Sequence, residues 1–447
     1  MKKVSIKVIT VLLAMAVLLG VSAGGASALN YSNNLELHSE AILLVSMDTG
    51  QTVFEKNADK KMYPASTTKI MTFIVAFENI KDVKNTSIEI KQSVLDALAE
   101  TGSSMANLSK HVGEKVSVTD LFYSLMVPSG NDAAMVLADY VGEGNVQNFV
   151  DKMNAKAKEI GCENTHFTNP DGLHDDDHYT TARDLEKITK YALDMPDSDF
   201  KTISNTVEYK CQGDDEPLVT TNHLLDDRWE YYYTYAEGIK TGTTDEAGRS
   251  LVTTAAADGQ QYMLVLLGAP YKEGVQEEYY NFIDAKALFR WCLVDLEKTS
   301  IANAKNVRYR VNVDDGDGKD SVFLVPEEDL ISVVPKDMAP GSIVTKPVYP
   351  SEISAPVKTG DVVGTVGISY KDPDTGVEQF IATVNLVPEE DVASKSAKSS
   401  GGFKFDPIFF IIGGVAIAAI IMLAVGLSVI ISKRRQNSEN SGGGRYR

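Results

Sequence analysis

The sequence predicts an α/β (α+β) unit over residues 35–297, then a small all-β domain over 300–392 and one C-terminal transmembrane helix over 407–432. Three observations carry this. In the first part, short apolar runs of strand length alternate with longer stretches whose apolar residues recur at helical spacing. Beyond residue 300 the helical spacing stops, and short Val-rich runs are separated by Pro and Gly. Near the end, Ile408 to Ile431 contains no charged residue.

The elements follow in order. Ala41 to Met47 reads as an apolar strand, Asp48-Thr49-Gly50 as a turn, and Thr52 to Glu55 as its hairpin partner. Pro64 precedes a helix that carries Ile70, Met71, Phe73 and Ile74 on its apolar face. Leu121 to Val127 is a helix leading into Ser129-Gly130-Asn131, and Asp132 to Tyr140 and Gln147 to Gly161 continue helically. Lys240-Thr241-Gly242-Thr243 precedes two strands, Ser250 to Ala256 and Tyr262 to Gly268, so it is expected on an edge strand of the sheet. Ile283 to Leu296 closes the unit as an amphipathic helix. In the β-rich part, Val307 to Val313 and Ser321 to Val325 alternate, and Val362 to Val366 is a further short run. Residues 393–406 are rich in Ser, Lys and Gly at their start and read as a linker.

Both ends carry addresses. Lys2, Lys3 and Lys7 precede an apolar run from Val8 to Leu19, and Ala26-Ser27-Ala28 supplies small residues for cleavage, so 1–28 reads as a signal peptide. At about 1.5 Å per residue, the apolar segment near the C-terminus can cross a hydrocarbon core of roughly 30 Å. Lys433, Arg434 and Arg435 follow it, which places 433–447 in the cytoplasm. The expected location is the cell membrane, single-pass, with the bulk of the chain on the extracytoplasmic side. A net charge of −19 argues against nucleic acid as a partner. Cys162, Cys211 and Cys292 are too few for a disulfide framework and read as small buried hydrophobes.

Three segments carry chemistry. In Ser66-Thr67-Thr68-Lys69, the spacing of three puts hydroxyl and amine on one helical face. If Ser66 opens the helix, the positive end of the helix dipole favours the developing alkoxide. Lys69 serves as a base only when neutral, a state that burial and the neighbouring cation Lys240 promote. In Ser129-Gly130-Asn131, Ser129 can pass a proton to a leaving amine and Asn131 can bond a substrate amide, while Asp132 is free to cap the following helix. In the third segment Lys240 offers charge, Thr241 and Thr243 offer hydroxyls for a carboxylate, and Gly242 lets a substrate approach the backbone. The backbone N–H groups of Ser66 and Thr243 would form an oxyanion hole. Each segment alone is a weak signal, more simply read as a capped helix or an ordinary turn. Their order and separation point to an active-site serine acyltransferase that a β-lactam can acylate.

Other residues invite weaker readings. His166, His174 and His178 stand beside Asp175, Asp176 and Asp177, but without metal-ligand spacing, so a polar loop is expected. Asp314-Asp315-Gly316-Asp317-Gly318 lacks the ligand pattern of a calcium loop and reads as a hairpin turn. Tyr231, Tyr232, Tyr233 and Tyr235 are expected to pack.

These segments, with Tyr63-Pro64-Ala65 before the first, Asn169-Pro170-Asp171-Gly172-Leu173-His174, Thr180-Thr181-Ala182-Arg183-Asp184 and Asp245-Glu246-Ala247-Gly248, resemble the low-molecular-weight penicillin-binding proteins, the serine-type D-Ala-D-Ala carboxypeptidases. Ala355-Pro356-Val357-Lys358-Thr359-Gly360 is similar to that family's β-rich C-terminal domain. The resemblance implies a β-lactamase/transpeptidase-like catalytic fold and a hydrolase acting on peptidoglycan stem pentapeptides. Ser66, Lys69 and Ser129 would be catalytic, and Asn131, Lys240, Thr241, Gly242 and Thr243 would bind substrate. β-Lactams would act as covalent inhibitors, the C-terminal helix would be the contact with the membrane, and neither metal nor organic cofactor is implied. Two departures stand out. Ala269 to Gly274 lacks the Arg that some relatives use for the substrate carboxylate, which leaves Lys272 and Arg249 as the nearby cations. Many relatives lie on the membrane surface, whereas this chain is expected to span it. The alternatives are a non-catalytic wall-binding protein, a serine β-lactamase, for which no E-x-x-L-N-like segment lies between Asn131 and Lys240, and a transmembrane sensor, for which the tail is short.

Overall fold

The computed structural model describes residues 29, 31, 34–99, 101, 103–271 and 278–396. The expected signal peptide, transmembrane helix, cytoplasmic tail and most of the linker lie outside the described residues, as does Lys272. Among the described residues no helix is long and apolar enough to cross a membrane.

The first part is built on a five-stranded antiparallel sheet: β1 (Ala41–Ser46), β2 (Thr52–Lys56), β3 (Ala236–Thr244), β4 (Gly248–Ala257) and β5 (Gln260–Ala269). Their order is β2-β1-β5-β4-β3, so the strand holding Lys240 to Thr243 is an edge, as the sequence predicts. β1 is apolar from Ala41 to Val45 and β5 from Tyr262 to Leu267, because both faces of these strands are covered. Ala41, Leu43, Val45, Val252, Val265 and Leu267 face one core, and Ile42, Leu44, Leu251, Leu264 and Leu266 face the other. Alternate residues point to opposite faces, which is why one run of sequence feeds two cores.

The first core is covered by helices α1 (Lys69–Asn79), α2 (Val118–Met126), α3 (Asn131–Val141), α4 (Val146–Ile160) and α5 (Ala182–Asp194). Helix α1 is buried on every side from Lys69 to Ala76, the pattern of a helix enclosed by others. Its Phe73 ring lies 4.3 Å from Phe122 and 4.9 Å from Phe200, centroid to centroid. Local chemistry fixes the helix starts. The Ser117 hydroxyl accepts from Asp120 N at the head of α2, and Thr181 Oγ1 accepts from Asp184 N at the head of α5. Helix α4 stops at Gly161, whose φ of 88° is the left-handed conformation that ends many helices. The second core is covered by α6 (Tyr280–Asp295), through Phe282, Leu288 and Phe289. Tyr231 and Tyr233 pack against this core, whereas Tyr232 and Tyr235 are exposed.

From Leu296 to Pro388 every regular element is a strand: β6 (Leu296–Ala302), β7 (Tyr309–Asp314), β8 (Ser321–Pro326), β9 (Leu330–Pro335), β10 (Ile343–Val348), β11 (Glu352–Ser354), β12 (Gly364–Lys371) and β13 (Glu378–Pro388). The described residues fall into two compact units. One comprises those up to Tyr309 with Leu324–Pro350 and Val362–Val387, and the other comprises Arg310–Phe323, Ser351–Asp361 and those from Pro388 on. Within the first, β6 pairs with β9, and β12 pairs with both β10 and β13, all antiparallel. Strand β9 joins this unit through Val333. Its N–H donates to Gln51 Oε1 at 2.9 Å, and its carbonyl accepts from Gln51 Nε2 at 3.0 Å and from the Tyr31 hydroxyl at 2.7 Å. Within the second, β7 and β11 pair in parallel.

Candidate active site

Ser66 does not open the α-helix. It sits in a 3-10 turn, Ala65–Thr68, and α1 begins at Lys69. The correction matters physically: with three residues per turn, positions three apart eclipse one another, so the tighter turn aligns Ser66 and Lys69 more directly than an α-helix would. The Lys69 ammonium nitrogen lies 2.8 Å from Ser66 Oγ, 2.6 Å from Asn131 Oδ1 and 2.7 Å from the Asp171 carbonyl. Lys69 is fully buried. Burial pulls its pKa down from 10.5 to about 8, against the opposing pull of the Asp171 and Asp132 carboxylates. A substantial neutral fraction near pH 8 therefore places a free amine lone pair beside a serine hydroxyl.

The second segment supplies one wall. Asn131 is the first residue of α3, and Gly130, rather than Asp132, is its N-cap. Asp132 has a different task from the expected cap. Its buried carboxylate accepts from the backbone N–H groups of Ala106, Leu108 and Ala133, and so pins the 106–108 loop to α3. Asn131 N donates to the Ser104 carbonyl at 2.8 Å, which fastens the same loop again. Gly130 has no room for a side chain: a Cβ there would lie 2.7 Å from both Asp132 Oδ1 and the Ser124 carbonyl. Ser129 is held at a φ of 66°, and its hydroxyl is buried with no hydrogen-bond partner among the described residues. A strained residue with an unused buried hydroxyl is poised to act on something that enters from outside.

The third segment forms the opposite wall. A Cβ on Gly242 would lie 2.9 Å from both the Pro64 carbonyl and Ser66 N, so only glycine lets β3 come this close to the serine turn. Ser66 N is near the start of that turn, where backbone N–H groups have no partner within the helix. The Thr241 hydroxyl bonds that of Thr221, and the Thr243 side chain is exposed. Lys240 is buried and donates to the Thr241 carbonyl at 3.0 Å. Burial, then the neighbouring Lys69, drives its pKa well below that of a free lysine. The structure brings part of the anticipated set together: Gly242 lies against Ser66 N and Lys240 neighbours Lys69. Ser66, Lys69 and Asn131 are directly bonded, whereas Lys240 and Thr243 approach through the strand.

Sequence reasoning missed part of the floor. The Asp171 carbonyl that holds Lys69 belongs to a loop stapled beneath the serine turn. Thr72 Oγ1 donates to the Pro170 carbonyl, and Gly172, at φ 86°, packs against Ala65 so tightly that a Cβ would overlap its carbonyl. His178 completes the staple and is buried, not part of a solvated polar loop. Its Nδ1 accepts from Thr168 N at 3.1 Å, which leaves Nε2–H to donate to Thr68 Oγ1 at 2.8 Å. Burial lowers its pKa to about 4, so it stays neutral. Among the described residues no cluster of His, Cys, Asp and Glu could hold a metal, and all three cysteines are free.

A turn-borne serine bonded to a buried lysine, between a serine-asparagine wall and a glycine-bearing edge strand, defines the class of active-site serine acyltransferases. The comparisons make the family definite. The profile described as D-alanyl-D-alanine carboxypeptidase matches residues 28–271, and that described as penicillin-binding protein 5, C-terminal domain, matches 297–394. The chain belongs to the D-alanyl-D-alanine carboxypeptidase family. It is 28% identical to D-alanyl-D-alanine carboxypeptidase DacF of Bacillus subtilis over 83% of this chain and 89% of that one. It is 31% identical to D-alanyl-D-alanine carboxypeptidase DacC of Escherichia coli over 78% and 84%, respectively. The structure of penicillin-binding protein 5 from Haemophilus influenzae superposes with a TM-score of 0.60 at 28% identity, covering 81% of this chain and all of that one.

Proposed function

We infer that this protein is a serine-type D-Ala-D-Ala carboxypeptidase that removes the terminal D-alanine from peptidoglycan stem pentapeptides through an acyl-enzyme. The observation that carries the reading is the 2.8 Å contact between Lys69 Nζ and Ser66 Oγ at a fully buried lysine. Neutral Lys69 takes the hydroxyl proton as Ser66 Oγ attacks the carbonyl carbon of the penultimate D-Ala. The N–H groups of Ser66 and Thr243 receive the oxyanion. Collapse breaks the peptide bond, Ser129 gives its proton to the departing amine and is reprotonated from Lys69, which becomes neutral again, and terminal D-Ala leaves. Water then attacks the Ser66 ester with Lys69 again as base, which restores the enzyme. Asn131 orients both Lys69 and the substrate amide, and Thr241, Gly242, Thr243 and Lys240 line the binding wall. A β-lactam enters as a mimic and acylates the same hydroxyl.

The apolar segment 408–431 and the basic residues after it support a single-pass membrane anchor, and residues 1–28 support export. Together they support a reading in which catalysis occurs on the extracytoplasmic side, with a peptidoglycan substrate.

The test is release of D-alanine from a stem pentapeptide. Wild type is expected to release it and Ser66→Ala is not. Penicillin binding without release would make the protein a wall binder, and fast nitrocefin turnover would make it a β-lactamase.

A further inference from the structure

When Lys69 takes the proton of Ser66, its amine becomes an ammonium at a position closed to water. A buried cation is unfavourable unless an anion stands near it. The atoms bonded to Nζ are neutral oxygens: Ser66 Oγ, Asn131 Oδ1 and the Asp171 carbonyl. The compensating charge must come from beyond these three contacts.

Among the described residues, each element packed around Lys69 brings a titratable group. Helix α3 brings Asp132, β3 brings Lys240, and the loop beneath the serine turn brings Asp171 and His178. His178 is neutral, and Lys240 can only add positive charge. Asp132 commits its carboxylate to the N–H groups of Ala106, Leu108 and Ala133. Asp171 is the remaining anion.

Asp171 is well placed. Its carbonyl oxygen lies 2.7 Å from Lys69 Nζ and 3.5 Å from Ser66 Oγ. A carboxyl carbon lies at most about 5 Å from the carbonyl oxygen of its own residue, so this one stands within about 8 Å of the amine. The residue is only 2% exposed. Its Oδ1 accepts from Leu173 N at 3.0 Å. The loop is fixed on either side: Gly172 N donates to Asn169 Oδ1 at 2.7 Å, and the Pro170 carbonyl accepts from Thr72 Oγ1. The carboxylate is therefore in position before any proton moves. Burial lowers the Lys69 pKa, and of the two carboxylates that oppose it Asp171 is the stronger.

We propose that Asp171 is a positioning residue that supplies the counter-charge for acylation: its carboxylate, carried on the residue whose carbonyl holds Lys69 Nζ, stabilises the ammonium formed when Lys69 takes the Ser66 proton. Asp171 itself gains and loses no proton in the step. It makes Lys69 a stronger base and keeps more of it protonated near neutral pH. The inference rests on the acyl-enzyme reading and adds to it the group that sets the strength of the base.

The test is the pH profile of Ser66 acylation by benzylpenicillin, followed by mass spectrometry on the full chain in wild type, Asp171→Asn and Asp171→Glu. Asparagine keeps an oxygen for Leu173 N and removes the charge. It is expected to move the midpoint of the profile about one unit below the wild-type value of about 8. The plateau should fall about threefold, because the base is weaker. The two profiles then cross: the variant is about twofold faster than wild type at pH 7 and about threefold slower at pH 10. Asp171→Glu keeps the charge and should hold the midpoint within about 0.3 unit of wild type. A residue that only shapes the loop would slow Asp171→Asn equally at every pH. An unshifted midpoint in Asp171→Asn overturns the proposal, and so does an equal shift in Asp171→Glu. If Asp171→Asn melts below the assay temperature, Asp171→Ser decides by the same shift, since its hydroxyl can accept the same bond from Leu173 N. Failure of the acyl-enzyme reading looks different, because wild type would then form no Ser66 adduct. Failure of the carboxypeptidase reading would show as penicilloylation of wild type without release of D-alanine.

Discussion

In the proposed mechanism Lys69 has two opposed requirements, to hold Ser66 in place and to accept its proton. Three acceptors surround its nitrogen, which favours the ammonium, while complete burial favours the amine. The balance at about 8 sets the pH dependence. Because the neutral amine is the base, the acylation rate should climb as pH rises through about 8 and level off above it. Stability follows the same sign. Between about 8 and 10.5 the unfolded chain binds more protons at this position than the folded one, so folding stability contributed by Lys69 rises with pH through that window. Lys69→Arg keeps a cation but supplies no base, and acylation should fall by about 10²–10⁴-fold in a stopped-flow assay. A pH-independent acylation rate from 6 to 10 would contradict the assignment. Gly242 gives a second residue-scale prediction. An alanine there pushes against the Pro64 carbonyl and Ser66 N, each 2.9 Å from its Cβ, and should cost about 1–3 kcal/mol in denaturant melts. The same displacement should depress acylation, because it opens the gap between β3 and the serine turn.

At the scale of elements, the site is made by loops clamped to helices. The three motifs were legible in the sequence because each is a short run with distinctive side chains, and β3 was legible as an edge because two apolar strands follow it. The floor was not. Asp171 contributes a main-chain carbonyl, which no side-chain pattern announces, and His178 looks like one more polar residue in an acidic loop until the fold buries it. Asp132 reads in sequence as free to cap because Asp beside a helix start is normally a cap; in the fold its carboxylate bonds Ala106 and Leu108, more than twenty residues away. Asp132→Ala strands those two N–H groups and should lower stability by about 3 kcal/mol, with loss of acylation as the 104–108 loop and Asn131 come adrift. His178 predicts the acid limb. Its folded pKa of about 4 lies below the ordinary 6.5, so the unfolded state takes up the proton first as pH falls. Stability from this residue is complete above about 6.5, declines between 6.5 and 4, and changes no further below that. The melting temperature of His178→Asn should fall less over that interval than that of wild type, and parallel declines would remove His178 from the explanation.

The whole molecule joins a covered five-stranded sheet to a run of strands. The two covered faces of the sheet were readable from uninterrupted apolar runs such as Ala41 to Val45, in which neighbouring residues serve different cores. The joining of β9 to the first unit was not, since it depends on the Gln51 side chain meeting the main chain of a residue far along the sequence. At this scale the proposed anchor makes a simple prediction: the full chain should sediment with membranes, and a chain ended at Ser396 should remain in the supernatant and still release D-alanine. Sedimentation of both would show that the apolar segment near the C-terminus is not what holds the protein. The central claim is tested most directly on the intact chain by mass spectrometry after brief exposure to benzylpenicillin. One added penicilloyl mass that maps to the peptide holding Ser66, and is absent from Ser66→Ala, is the predicted result; an adduct on any other residue, or none on folded protein, would contradict it.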